Sequence, residues 1–274
     1  MALFDGEGVA VSVVVTDAEV TLADVLSLRL AMEEPLKSGT ELVLRHRTSG
    51  VEREVTLGTP GAVAREATVA VSLAPLLLTA GRWDTYLRHE GKRSRLRSID
   101  PGFSLDHLDA YALCKRTLAY RSYRTRNGYL ALKIDDATPV AEVRAVWFRE
   151  GRFEVTGLLA FTGLEDDESR HEAMLALHRR QTGARVSATA TVQGVRFHAA
   201  VSLVDVLAAD PEASGTWEPS LEVDGVGEPL RLGGWLDDVD GKRRRLQYPS
   251  ARVDGVPIRP SYTADDELRI EVGG

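Results

Sequence analysis

The chain has 274 residues, and 34 Lys and Arg against 41 Asp and Glu leave a net charge of −7 with His neutral. With 43% apolar and 27% charged residues it has the composition of an ordinary folded protein, which excludes disordered and collagen-like chains, and it lacks the basic footprint of a general nucleic-acid binder. One cysteine, Cys114, excludes an internal disulfide and a thiolate zinc site; the acidic start, and the lack of any apolar run near the roughly 20 residues of a membrane span, predict a cytoplasmic protein with no membrane span.

Taken in chain order, apolar residues alternate with period 2, as half-buried strands require, over Val9–Val15, Glu19–Leu30, Glu41–His46, Val51–Leu57, Thr68–Leu73 and Trp83–Arg88. Leu105–Tyr120 has a mixed pattern and is expected to be a loop with at most one helical turn. Tyr129–Ile134 is again strand-like, after an Arg126-Asn-Gly128 turn that matches Thr48-Ser-Gly50 in character. In the second half, His171–His178 contains helix formers, but its counterpart Lys37–Arg45 reads as strand, so a strand from about Ala173 is expected. Asp254-Gly255 and Ala264-Asp-Asp-Glu267 mark later turns. Short strands punctuated by turns point to an antiparallel sandwich, and no strand-helix-strand alternation supports a parallel doubly wound sheet.

The word counterpart rests on an internal repeat. Leu42-Val-Leu-Arg-His-Arg-Thr-Ser-Gly50 aligns with Leu175-Ala-Leu-His-Arg-Arg-Gln-Thr-Gly183 at an offset of 133, and the same offset lays Thr16–Leu22 on Arg149–Val155. Val71-Ser-Leu73 meets Val201-Ser-Leu203, and Gly81-Arg-Trp83 meets Gly215-Thr-Trp217. Arg121, Thr125, Leu130, Leu132 and Ile134 fall on Arg259, Thr263, Leu268, Ile270 and Val272 at an offset of 138. The expected architecture is all-β: two tandem immunoglobulin-like antiparallel β-sandwich domains, 1–135 and 136–274, arising by duplication.

Chemistry is harder to find. No glycine pattern forms a dinucleotide or phosphate loop, and there is no Gly-x-Ser-x-Gly elbow. The histidines (46, 89, 107, 171, 178 and 198) are scattered without ligand spacing, so neither metal nor cofactor is expected. Leu105-Asp-His-Leu-Asp109 is matched by Leu236-Asp-Asp-Val-Asp240; such acidic loops, with Asp106, Asp109, Asp237 and Asp240, suit a hard cation, a hydroxyl ligand or a structural Asx turn. Trp83 and Trp217 occupy equivalent places and are either sugar-stacking platforms or core residues, whereas Trp235, beside Gly233-Gly234, is the better exposed aromatic; Trp147 aligns with Val14. Arg121 and Arg259 are equivalent too, and either clamp an anion or lock the fold in ion pairs. Lys115-Arg116, Arg121, Arg124 and Arg126 with Tyr120 and Tyr123, and Lys242-Arg-Arg-Arg245, form basic runs that fit an anion-binding face or charge-guarded edge strands.

The Gly-x-Trp-[Asp/Glu] strands at 81–84 and 215–218, the Arg turn leading to Leu-x-[Leu/Ile]-x-[Ile/Val] at 121–134 and 259–272, and the Leu-x-Leu-x-x-Arg-x-x-Gly hairpin resemble accessory β-sandwich repeats. Such repeats are appended to actinobacterial cell-envelope glycosyltransferases and to proteins similar to CDP-glycerol:polyglycerophosphate glycerophosphotransferases. Their catalytic α/β domain has no counterpart here, so the resemblance implies no catalytic residues. It implies a non-catalytic module that binds a glycan or polyol-phosphate polymer, through Trp83, Trp217, Trp235, Arg121, Arg259, Asp237 and Asp240, or that docks such a transferase. Two alternatives stand beside it. One is an enzyme with a site between the domains around Asp106, His107, Asp109, Tyr123 and Arg124, where His107 is the near-neutral acid-base. The other is a scaffold pairing through edge strands.

Overall fold

The structure is a computed structural model that describes residues 13–58, 65–99, 105–210, 214–236 and 241–273, with the backbone alone for 105–108. It is nearly all β, with 57% of it in strands. The chain divides into two compact units, Met1–His107 with Arg116–Ala137, and Leu108–Lys115 with Thr138–Gly274.

In the first unit the strands are β1 (Val13–Val20), β2 (Val25–Met32), β3 (Glu41–His46), β4 (Glu52–Thr56), β5 (Glu66–Ser72), β6 (Gly81–His89), β7 (Lys92–Arg95), β8 (Arg97–Ser98), β9 (Leu118–Arg124) and β10 (Leu130–Asp136). They make two sheets, ordered β5-β2-β1-β8 and β4-β3-β6-β10-β9, with β7 beside β6. Leu26, Leu28 and Leu30 from one sheet and Leu42, Leu44, Trp83, Leu130 and Leu132 from the other meet in one core. The alternation read from the sequence is therefore what buries these side chains, since successive strand residues face opposite ways.

The second unit contains β11 (Val140–Arg149), β12 (Arg152–Ala160), β13 (Arg170–His178), β14 (Arg185–Gln193), β15 (Arg196–Ser202), β16 (Gly215–Val223), β17 (Leu230–Gly233), β18 (Ala251–Val253), β19 (Val256–Tyr262) and β20 (Leu268–Val272). The pairings β1–β2, β2–β5, β3–β4, β3–β6, β6–β10, β10–β9 and the parallel β1–β8 recur as β11–β12, β12–β15, β13–β14, β13–β16, β16–β20, β20–β19 and the parallel β11–β17. Two further contacts, Ala190–Gln193 of β14 against Arg196–Ala199 of β15 and Ser220-Leu221 of β16 against Leu230-Arg231 of β17, close β13, β14, β15, β12, β11, β17 and β16 into a 7-strand barrel. Phe153, Val155, Leu175, Leu177, Trp217 and Leu221 fill it.

Several expectations change. The second unit is a closed barrel where an open sandwich was expected, and both units contain a parallel pair, because residue alternation records which face is buried and not the direction of the neighbouring strand. Glu19–Leu30 is two strands: Thr21 and Val25 close a turn through a 2.9 Å backbone bond, with Asp24 at φ 57°, and no Gly or Pro announced it. The second unit makes the same connection with only Glu150-Gly151, so the offset differs there; the bulges at Val15/Asp17 and Val143/Ala145 set Val15 against Val143, and the matches of Thr16–Leu22 with Arg149–Val155 and of Val14 with Trp147 do not hold. The part of Val9–Val15 before Val13 lies outside the described residues.

Helices also appear. Leu105–Leu113 is an α-helix, α1, not a loop with one turn. It contains no Gly, Pro or β-branched residue, and Tyr111 and Ala112 are buried. Phe161 donates its N–H to Ala112 O at 2.8 Å, and Leu113 packs on the second unit's core, so this segment belongs to that unit despite preceding β9. α2 (Leu203–Ala209) is capped by Ser202, whose hydroxyl accepts from Asp205 N. Lys242–Arg245 is a helical turn, α3, with Lys242 buried, and not a charged edge strand.

Candidate functional site

The repeated motif residues are mostly framework. Trp83 and Trp217 are each 1% exposed, so neither offers a face to a sugar; they are core residues, and Trp83 donates its ring N–H to Thr79 O at 2.9 Å. A Cβ on Gly81, at φ 133°, would lie 2.2 Å from His46 Nε2, and one on Gly215 would lie 2.7 Å from the Arg179 guanidinium. The Gly-x-Trp motif thus admits a side chain from the neighbouring strand across the glycine and plugs the core two residues later. Thr125 and Thr263 close the last turns, accepting from Tyr129 N at 3.0 Å and from Glu267 N at 3.1 Å.

The other expected site residues that are described each have their own local setting. Arg259 pairs with Glu271 across β19 and β20 at 2.7 Å, a fold-locking pair in which burial opposes ionisation of Glu271 but bonds from Arg259 and Ser261 prevail and lower its pKa. Trp235 is half-buried, with its ring N–H on Asp265 O at 2.9 Å and Arg231 over its face at 5.6 Å. Its backbone N–H and that of Leu236 are held by the buried carboxylate of Glu142, at 2.8 and 3.1 Å. Asp109 is exposed and ion-paired to Arg144. The backbone of Asp106 and His107 lies in α1, while their side chains, and all of Asp237 and Asp240, lie outside the described residues. Among the described residues no group of three or more His, Cys, Asp or Glu could hold a metal.

The outward face of the first unit's β4-β3-β6-β10-β9 sheet gathers charged residues that the sequence keeps apart. Asp84 stands there, largely buried, and takes Arg47 Nη2 at 2.6 Å and Arg95 Nη2 at 2.5 Å on the same oxygen, Oδ1. That bond to Asp84 raises the pKa of Arg47 against the effect of its burial. The second unit repeats the pair as Arg180 with Glu218 at 2.5 Å. Tyr123, opposite Ala131 in the register, has a buried hydroxyl beside Arg47, and it adds to the rise of the Arg47 pKa. Arg121 also faces outward, opposite Lys133, while Arg124 is exposed and Arg116 is tied to Asp24. Arg121 therefore joins cations from distant strands more than the basic run around it in sequence, and only register could show this.

The first unit also has a cleft of about 310 Å³ between the edges of β4 and β5, whose counterparts in the second unit pair and seal the barrel. It is lined by Leu36, Val55, Leu57, Ala67, Val69 and Val71, with Thr56, Gly58, Thr68 and Ala70, none of which titrates.

No family model matches the chain, and no curated protein matches it. Among solved structures, residues 217–571 of S. aureus TarS align at 11% identity and a TM-score of 0.36, over 69% of this chain and 54% of that one. A longer S. aureus TarS structure aligns at 13% and 0.35, over 69% of this chain and 34% of that one. A 1.5-MDa bacterial ice-binding adhesin aligns at 12% and 0.20, over 78% and 56%. The chain spans about half or less of the TarS structures, and likenesses this distant assign no activity. No helix among the described residues is long and apolar enough to cross a membrane.

Proposed function

We propose that this chain is a non-catalytic accessory module, built by duplication of an immunoglobulin-like β-sandwich unit at 1–135 and 136–274, that binds a glycan or polyol-phosphate polymer or docks a cell-envelope glycosyl- or glycerophosphotransferase. The observation that carries the reading is the cleft between β4 and β5: it can receive a ligand, and among the described residues that line it none titrates, so these supply no general acid or base. The recurrent strand pairings, the equivalent core tryptophans and the paired Arg47–Asp84 and Arg180–Glu218 bridges support duplication. A cytoplasmic location belongs to the same proposal.

The test is thermal unfolding and product analysis of the purified chain with neutral and anionic glycans, nucleotide-sugars and CDP-alcohols. A ligand at 100 times its dissociation constant adds about 2.7 kcal/mol, enough to move the midpoint by a few degrees. A shift with a polymer and no consumption of activated donors is expected. Donor turnover that disappears in His107→Ala overturns the reading in favour of the enzyme with Asp106, His107, Asp109, Tyr123 and Arg124. Among the described residues no strand pairs with the outer edges of β4 and β5, which favours one second reading, a scaffold that takes up a partner strand; it requires a protein partner and no polymer shift.

A further inference from the structure

Trp147 is the most exposed of the four tryptophans. Trp83 and Trp217 are 1% exposed and Trp235 is half-buried, whereas Trp147 is 42% exposed. Its neighbours Val146 and Phe148 pack on the second unit's core, so the indole points outward from β11. Its ring N–H bonds none of the described residues, unlike those of Trp83 and Trp235, which donate to Thr79 O and Asp265 O. The side chains around it are short: Ala145 two places before it, Thr156 opposite Ala145, and Ala200 beyond Glu154 in the same row. The indole therefore stands above the sheet.

Glu154 lies directly opposite Trp147, and Arg149 ties the two together. Its guanidinium sits over the indole at 5.6 Å and gives Glu154 Oε2 two bonds, from Nε at 2.7 Å and from Nη2 at 2.5 Å. His198 Nε2 approaches the same oxygen at 3.8 Å, so Oε1 takes no bond from the described residues. The first unit lacks this cluster: Glu19 faces Ser27 as Trp147 faces Glu154, and Thr68 stands in the place of His198. The shared fold forms without it.

We propose that Trp147, Glu154, Arg149 and His198 form a saccharide subsite on the outer wall of the second unit, where a pyranose ring stacks its C–H face on the indole and bonds its hydroxyls to Glu154 Oε1 and the Trp147 N–H. This chooses the glycan of the binding-module reading above and rests on that reading. A pyranose has both kinds of surface that the cluster offers, an apolar C–H face and edge hydroxyls that donate and accept. Glu154 already holds the Arg149 charge, so a phosphate chain or a nucleic-acid backbone gains less here than a neutral sugar. Arg149 also fixes the indole and the carboxylate before a ligand arrives, which lowers the cost of ordering them on binding.

The experiment follows acrylamide quenching of tryptophan fluorescence in the full chain, with cellohexaose, chitohexaose, maltohexaose, inorganic polyphosphate and a single-stranded oligonucleotide titrated at low and high salt. A sugar stacked on Trp147 shields the most exposed tryptophan, so at least one hexaose should reduce quenching, with an affinity that changes less than about twofold with salt. By calorimetry, Trp147→Ala should weaken that hexaose about tenfold, and Trp147→Phe, which keeps an aromatic face, about threefold. Glu154→Gln should weaken it about threefold or more through the lost charged acceptor. The unfolding midpoint of Trp147→Ala should stay within about 2 °C of wild type, since the residue lies outside the core. Trp235→Phe, the control, should bind the hexaose as wild type does. The proposal falls if no hexaose binds, if Trp147→Ala binds like wild type, if Trp235→Phe loses the binding instead, or if polyphosphate or the oligonucleotide shields Trp147 better than every hexaose. A polymer-induced midpoint shift that persists in Trp147→Ala ends this proposal and keeps the module reading, whereas donor turnover ends the module reading itself.

Discussion

Asp210→Ala should be among the most damaging single polar substitutions in the second unit. Arg179 and Asp210 have side chains only 7% and 6% exposed and are ion-paired; Arg179 Nη2 also donates to Ser214 O at 2.6 Å, and Thr182 Oγ1 donates to Asp210 Oδ2 at 2.8 Å. Arg179 Nε is already buried without a partner. Removing the carboxylate leaves a guanidinium charge in a dry site facing one carbonyl, and breaking such a pair costs about 3–5 kcal/mol. Against a domain stability of about 5–15 kcal/mol, that is a large share. Replacing both partners, as Arg179→Met with Asp210→Leu, removes the charge along with its need for a counterion and should cost much less. Urea unfolding followed by tryptophan fluorescence in a Trp83→Phe background reports the second unit alone, since the remaining tryptophans, 147, 217 and 235, lie there. A loss below about 1 kcal/mol for Asp210→Ala would show that water reaches Arg179 and would refute the argument.

Gly81→Ala should destabilise the first unit by at least about 2 kcal/mol, because its Cβ would overlap His46, itself held by Ser49 and Ala80 O, at a backbone φ of 133°. Adding His46→Ala should return part of that loss, and urea midpoints that leave Gly81→Ala unchanged would show that the ring moves aside freely. Acid should weaken the fold through Glu154 and Glu271. The Arg149 hydrogen bond holds the Glu154 carboxyl down against burial; at Glu271, burial is outweighed by Arg259 and Ser261. Both pKa values are lowered from 4.5, so their contribution is complete above that value and is lost as pH falls through the lower folded-state values. Glu271→Gln should therefore lose less stability than wild type between about pH 5 and pH 3, and equal losses in parallel urea titrations would refute the assignment.

Much of the β framework was legible because period-2 alternation is a local property of strands. Glu41–His46 was read to the residue, and the glycine turns at Gly50 and Gly128, with φ 73° and 79°, sit where only a left-handed backbone closes the hairpin. The β1–β2 turn was missed because Asp24 adopts a left-handed φ without a glycine, and α1 was missed because what holds its end, Phe161 N–H on Ala112 O and the core under Leu113, lies far from it in sequence.

The site residues divide along the same line. Sequence alone determined many of the strands, the glycine turns and the recurrence of Trp83 with Trp217 and Arg121 with Arg259. Tertiary structure decided that both tryptophans are core, that β14 and β15 pair while β4 and β5 do not, and that Arg121 stands opposite Lys133 while Arg259 meets Glu271. The reason is register: a strand's own residues set which face each side chain takes, but which charge stands opposite is set by a neighbouring strand distant in sequence, and only pairing brings the two together.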